Sequence, residues 1–377
     1  MIVYSMVSNH GGMLRVAESA LAIHAQLKLV TEMKIFIFSE RPPEGELHPD
    51  IEWIEWNENE NPYTKEKIEY YREIIKTKIP AQVDFLIGDY MTLAYFDFVT
   101  AEIIYDVHVL GKPLYQAIKT SPGIHALDLV TTAPVATLID AQEFLFLKFE
   151  NKFITKAKRF IVNSLNSERF LKDLYTEEVK GKPMAYIPVA SELKIPDKKF
   201  SKNIDVYYFG RFHPVKGFHF MFSKDWKNHP LFIRGLEPRV LNNESREMLK
   251  SRSITAHPWA KDSQSLVEEL LSSRLVLFPS IYEPWGLALQ EALSLGCVCL
   301  ANRNHSGHEE QIEEGVNGFL VDMNSPDWFQ RISEILAMPE EKLALISQNA
   351  KQRSTLGHAT RTQSFVDYIK LLLEKKV

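Results

Sequence analysis

Two glutamates with seven residues between them, Glu283 and Glu291, lie in the run PSIYEPWGLALQE and straddle an apparent strand-to-helix turn. Glu283 follows the apolar run RLVLFPS, whereas Glu291 falls on the amphipathic segment LALQEALSL, so the two acids can reach one ligand from different elements. A helix starting near Gly286 turns its first free amides, those of Gly286 and Leu287, toward an anion such as a phosphate. A carboxylate on either side of that anion accepts hydrogen bonds from hydroxyl groups. Together these features describe a nucleotide-sugar site. Taken alone, the spacing reads more readily as a solvated loop acid and a surface-helix acid.

A second cluster, GRFHPVKG, runs from Gly210 to Gly217 after the strand-like IDVYYF. Gly210 permits a tight turn, and Arg211 and Lys216 supply two cations able to grip a diphosphate. A basic surface turn is the alternative, and it loses ground once the turn is considered beside the glutamates. SNHGG places Gly11 and Gly12 between the first strand and the first helix, where missing Cβ atoms let a ligand approach. A tight turn with no ligand has the same sequence. His108 ends EIIYDV and can donate to a sugar hydroxyl or a phosphate, or serve structurally through a backbone bond.

Several chemistries have no footing. Asp-x-Asp occurs nowhere, so no paired-carboxylate magnesium site is evident, and H-E-x-x-H is likewise missing. G-x-S-x-G and the P-loop pattern G-x-x-x-x-G-K-[ST] are also absent. Arg211, Lys216 and the Gly286–Leu287 amides are left to neutralise a leaving diphosphate, with no metal or other cofactor expected.

The elements that must hold these residues alternate as a parallel α/β pattern. IVYSMV, KIFIF, DFLIG, EIIYDV and RFIVNS read as strands separated by helical segments. After a Pro- and Lys-rich stretch the alternation restarts with IDVYYFG, HPLFIRG, SITAH, RLVLFPS, CVCLA and GFLVD. Two Rossmann-like domains facing a central cleft are expected, spanning 1–188 and 189–358, with a final segment over 359–377. Gly11 and Gly12, His108, Arg211, Glu283 and the Ser306–Gly307 loop each fall just after a strand, where open α/β sheets bind their ligands.

The chain has 377 residues, enough for two cores, with 45% hydrophobic and 25% charged residues. A net charge of −5 gives no support to nucleic-acid binding. The N-terminal MIVYSMV lacks a basic leader and no apolar run reaches a membrane-spanning length, so a cytoplasmic protein is expected. Cys297 and Cys299 alternate in GCVCLA as a buried strand would place them. Between Phe144 and Phe160, aromatic residues recur at helical spacing among lysines, which fits a core-facing stripe, with peripheral membrane contact as the alternative.

Taken together, the HGG loop, GRFHPVKG, EPWGLALQE and SGHEEQIEEGVNGFLVD resemble the retaining glycosyltransferases of GT-B fold, glycosyltransferase family 4 in particular. The resemblance implies that Arg211 and Lys216 bind the donor diphosphate, that Glu283 contacts the donor sugar and that Glu291 binds the ribose. It assigns Gly11 and Gly12 to the phosphate and acceptor, His108 to the donor sugar, and the final helix TRTQSFVDYIKLLLEKK to a return onto the N-terminal domain. The base is expected near Ala256 to Trp259, in the region of His257, Pro258 and Trp259. Where the family has Gly-Gly-x-Pro-Glu, this chain reads Ser306-Gly307-His308-Glu309-Glu310; where many members have Pro-Asn-Gly, it reads Pro188-Val189-Ala190.

The implied reaction moves a sugar from a UDP-, GDP- or ADP-sugar to a hydroxyl acceptor. Retention follows from same-face attack through an oxocarbenium-like state, the leaving phosphate taking the acceptor proton. A GT-B nucleotide-sugar epimerase and a non-catalytic nucleotide-sugar-binding protein are the rival expectations.

Overall fold

The computed structural model describes residues 1–6, 23–40, 51–54, 65–107, 110–129, 149–187, 193, 200–237, 241–303, 307–354 and 358–374. Gly11, Gly12, His108, the Pro188–Ala190 linker and Ser306 lie outside the described residues.

Two compact units are present. The first comprises Met1–Lys112, Glu143–Pro188 and Ala359–Val377; the second comprises Pro113–Gln142 and Val189–His358. Residues 113–142 thus group with the second unit, although in sequence they fall within the stretch 1–188.

The first unit is built on seven strands: β1 (Ile2–Met6), β2 (Ile35–Glu40), β3 (Ile51–Ile54), β4 (Gln82–Gly88), β5 (Thr100–Val107), β6 (Arg159–Val162) and β7 (Met184–Tyr186). Their order is β3-β2-β1-β4-β5-β6-β7, and every pairing is parallel. Parallel sheets covered on both faces need near-continuous apolar strands, and the central β1, β4 and β5 supply Ile2, Tyr4, Phe85, Ile87 and Ile104 to one core. The five expected strands all form. The two unanticipated ones, β3 and β7, are short edge strands, where one side of the ladder needs no apolar neighbour.

α1 (Gly111–Thr120) starts in this unit and belongs from Pro113 onward to the second, and α7 (His358–Glu374) is the final helix. On α7, Phe365, Val366, Ile369 and Leu372 form a helical stripe in the same core, and Phe365 stacks on Tyr4 with ring centroids 4.9 Å apart. Burying such side chains contributes roughly 1.5–3 kcal/mol each. From the Phe144–Phe160 stripe, Phe153, Ala157 and Phe160 are buried, as a core-facing stripe requires.

The second unit has six parallel strands: β8 (Ile204–Phe209), β9 (Leu231–Arg234), β10 (Ile254–His257), β11 (Ser273–Phe278), β12 (Cys299–Asn302) and β13 (Phe319–Val321). Their order is β10-β9-β8-β11-β12-β13, which reverses direction between β8 and β11. Helices that matter here are α2 (Phe218–Phe222), α3 (Ser263–Ser272), α4 (Leu287–Ser294), α5 (His308–Gln311) and α6 (Glu340–Ser354). Leu289, Ala292 and Leu293 of α4 pack into a core with Val276, Phe278 and the two cysteines. Cys297 and Cys299 are both buried free thiols, and burial pushes the Cys297 thiol up to about 12. Among the described residues, no helix is long and apolar enough to cross a membrane.

Candidate active site at the switch point of the second sheet

Strand order reverses between β8 and β11, and at such a switch point the loops leave the carboxyl edge in opposite directions and open a ligand crevice. Arg211 and Lys216 follow β8; Glu283 follows β11. The turn after β8 is a one-turn 3₁₀ helix over Pro214–Lys216, capped by His213, whose Nδ1 accepts the Val215 amide at 3.2 Å. Gly217 closes it at φ +75°, where a Cβ would stand 2.0 Å from the Pro279 carbonyl oxygen. The Ile281 amide donates to the Val215 carbonyl at 2.8 Å, so the cationic turn lies directly on the loop that carries Glu283.

That contact unites the two sequence clusters. The Lys216 ammonium forms a hydrogen-bonded ion pair with the Glu283 carboxylate, both side chains being largely buried. Ser280 Oγ lies 3.4 Å from the same carboxylate oxygen. Burial raises the Glu283 pKa, but the Lys216 charge and hydrogen bond, with Arg211, outweigh it and hold the carboxyl below the usual range. The ionised acid is therefore present at neutral pH. His213 is lowered too, to about 3, by burial and the two neighbouring cations, so its imidazole is neutral where the carboxylate is charged.

The helix behind the pair starts where the sequence places it. Gly286 is the N-cap of α4 at φ +97°, and Leu287 is the first helical residue. A Cβ on Gly286 would stand 2.9 Å from His308 Cδ2 and 3.2 Å from Glu283 Cγ, so only glycine fits between them. Glu291 sits further along α4, fully buried, with both carboxylate oxygens sealed from solvent.

Three residues that hold this loop are not among the candidate site residues, although the Ser306–Gly307 loop stood out in the sequence. Buried Asn302, at the end of β12, donates from Nδ2 to the Ser280 carbonyl at 3.0 Å and accepts the Met323 amide at 3.2 Å. Gly307 donates its amide to the Glu283 carbonyl at 2.8 Å and packs so closely on Pro284 and Trp285 that a Cβ there would clash with their backbone. His308 is buried beside them, and burial lowers its pKa to about 4 while Glu283 pulls it upward. All three follow β12 or end it, the position shared by the other site residues; Gly307 and His308 lie in the segment already seen to depart from Gly-Gly-x-Pro-Glu.

The expected base region lies at the end of β10. His257 stacks on Phe232 with ring centroids 4.5 Å apart, and its carbonyl accepts both the Gly235 and Leu236 amides at 3.0 Å. The Pro258 carbonyl accepts Arg234 Nη1 at 3.1 Å, and Arg234 is itself paired with Glu269. Trp259 is 42% exposed. A Cβ on Gly235 would lie 3.2 Å from the Trp259 ring and 2.5 Å from the Gly210 carbonyl oxygen, so the loops after β8, β9 and β10 meet at that glycine. The structure thus brings Lys216, Glu283, Gly286, Leu287 and His308 into one cluster, with Arg211 acting on Glu283 through its charge and Trp259 at the rim of the adjoining loops.

Comparison with known proteins places these features in a family. Residues 191–353, which include the Arg211–Lys216 turn, Glu283 and Glu291, match the family described as glycosyl transferases group 1. No curated protein matches the chain in sequence. Among solved structures, a sucrose-phosphate synthase from Thermosynechococcus elongatus superposes with a TM-score of 0.72 at 16% identity, covering 100% of this chain and 99% of the other. A glycosyltransferase from Rickettsia africae gives 0.63 at 16% identity, with 99% and 98% covered. Anabaena HepE in complex with UDP-glucose gives 0.65 at 15% identity, with 99% of each chain covered. At these identities the likeness establishes the fold, that of two-domain GT-B glycosyltransferases, over the full length.

Proposed function

We propose that this group 1 glycosyltransferase moves a sugar from a nucleotide-sugar donor to a hydroxyl acceptor, with retention of configuration and without a metal ion. The observation that carries the reading is the Lys216–Glu283 ion pair beside the Gly286 N-cap. It puts a cation, a helix N-terminus and an ionised acid at one point on the switch edge of a parallel sheet, a set that suits a diphosphate.

In this reading Arg211, Lys216 and the Gly286 and Leu287 amides balance the charge that develops on the departing diphosphate. Glu283 faces the donor sugar and Glu291 the ribose. Because the Glu291 carboxyl is sealed from solvent, ribose contact requires the start of α4 to loosen around it. The base lies over the end of β10 near Trp259. The family resemblance assigns Gly11 and Gly12 to the phosphate and acceptor and His108 to the donor sugar. Bound UDP-glucose in the HepE complex makes a UDP-sugar the first donor to try.

The test is a thermal-shift screen against UDP, GDP and ADP and their glucose conjugates, followed by donor consumption with and without added hydroxyl acceptors. A stabilising nucleotide together with acceptor-dependent release of that nucleotide is the expected result. Acceptor-independent formation of an epimer, or binding with no turnover of any donor, would overturn it.

A further inference from the structure

Tyr208 and Tyr207 stand next to each other on β8, but only one has a satisfied hydroxyl. Tyr207 Oη donates to Glu269 at 2.6 Å. Tyr208 is 2% exposed, and its Oη is sealed from solvent with no hydrogen-bond partner among the described residues. Buried polar groups are nearly always paired, and the exceptions cluster where function requires them. The Tyr208 ring is fixed edge-on against Phe218 of α2, with centroids 5.1 Å apart and planes at 75°. Its Oη lies 2.6 Å from where a Cβ on Gly210 would stand, immediately under the turn that carries Arg211. Burial and the charge of Glu283 both raise the phenol pKa against the opposing pull of Arg211, so the group is a protonated donor within the electrostatic reach of that carboxylate.

The ion pair gives this donor a task. Lys216 and Glu283 are bound to each other, yet the donor-site reading gives Lys216 a diphosphate and Glu283 a sugar. A diphosphate that draws the ammonium away leaves a largely buried carboxylate whose remaining side-chain hydrogen-bond partner among the described residues is Ser280 Oγ, at a long 3.4 Å. We propose that Tyr208 is a positioning residue for Glu283: as Lys216 turns to the donor diphosphate, the Tyr208 hydroxyl donates to the released carboxylate and holds it toward the sugar. The proposal rests on the donor-site reading above.

Tyr208→Phe removes the hydroxyl and keeps the ring, so the fold is retained. A merely structural hydroxyl left unpaired predicts a Tm equal to or above wild type with binding and turnover untouched. The positioning role predicts the same Tm together with a fivefold or greater loss of affinity for whichever of UDP, GDP and ADP the wild type binds tightest, by calorimetry. Cleavage of the corresponding glucose conjugate falls about tenfold. In a Glu283→Gln background, where no carboxylate competes for Lys216, the affinity effect of Tyr208→Phe shrinks below twofold. Wild-type affinity and cleavage in Tyr208→Phe overturn the proposal alone, as does an undiminished affinity loss in the Glu283→Gln background. A wild-type chain that binds none of the three nucleotides, while remaining folded, overturns the donor-site reading and this proposal with it.

Discussion

Lys216 and Glu283, 67 residues apart in sequence, are joined in one ion pair at the carboxyl edge of the second sheet. Neither has an oppositely charged neighbour that would explain its type locally. The pair forms because β8 and β11 are adjacent and parallel although β9 and β10 intervene in the chain, which puts the loops that follow them side by side.

The two partners are expected to fail differently. Lys216→Ala removes a diphosphate contact and leaves a largely buried carboxylate without its cation, so nucleotide affinity falls ten- to a hundredfold and stability falls by about 1–3 kcal/mol. Glu283→Gln keeps the nucleotide affinity of wild type, or exceeds it, and loses sugar transfer by a hundredfold or more. Calorimetry with UDP, urea denaturation and donor consumption separate the two. Equal nucleotide affinity in Lys216→Ala and wild type would remove the diphosphate assignment.

The turn after β8 depends on a glycine in a way that others do not. Gly217→Ala meets both a left-handed φ of +75° and the Pro279 carbonyl oxygen, at 2.0 Å from the new Cβ. Gly181→Ala has a similar φ of +70° with nothing within 4 Å. The second is expected to cost about 1 kcal/mol and the first at least twice that, with loss of nucleotide binding as the turn shifts. Urea midpoints for the two variants check the order; similar midpoints would show that the 210–217 turn yields freely.

Trp259 is the exposed aromatic beside loops whose main-chain acceptors are occupied. The His257 and Pro258 carbonyls already accept hydrogen bonds, and proline has no amide to offer. If the donor base lies here, as proposed, stacking on the indole is its main source of affinity, with aromatic stacking supplying roughly 1–3 kcal/mol per base. Trp259→Ala is expected to weaken UDP binding five- to a hundredfold while leaving inorganic pyrophosphate binding unchanged, and Trp259→Phe to recover most of the loss. A parallel loss of pyrophosphate affinity would point to collapse of the loop.

Acid sensitivity follows from imidazoles whose protonation burial opposes, His213 at about 3 among them. His219, whose Nε2 lies 2.9 Å from Ser121 Oγ, and His308 are each lowered to about 4 by burial, against a usual 6.5. Between those values the unfolded chain takes up protons that the folded chain does not. Their contribution to stability is therefore complete above about pH 6.5 and declines as pH falls toward 4, by up to about 1.4 kcal/mol per pH unit for each histidine. Glu283, with its lowered carboxyl, adds in the same direction at still lower pH. Denaturation midpoints taken from pH 7 to pH 4.5 should drop steadily, and less steeply in His219→Gln. A midpoint independent of pH across that interval would contradict the neutral, buried assignment.

Much of this architecture was legible in the chain because the decisive signals are local. All eleven anticipated strands form, since apolar runs of β-branched and aromatic residues have few other ways to be buried. β3 and β7 escaped notice because IEWI and MAY lie at sheet edges, where the apolar demand is weak. The strand-turn-helix geometry around Glu283, with Gly286 at the helix start, was fixed by residue types within a dozen positions.

The sequence by itself determined which residues have the chemistry: two acids spaced across a strand-to-helix turn, two cations after a glycine, and a helix start able to face an anion. Tertiary structure alone decided who meets whom. It paired Lys216 with Glu283, wedged His308 against Gly286, sealed the Glu291 carboxyl and left the Tyr208 hydroxyl beneath Gly210 without a hydrogen-bond partner among the described residues. Those outcomes depend on strand order, because periodicity along the chain records which side of an element is buried but not which distant element buries it.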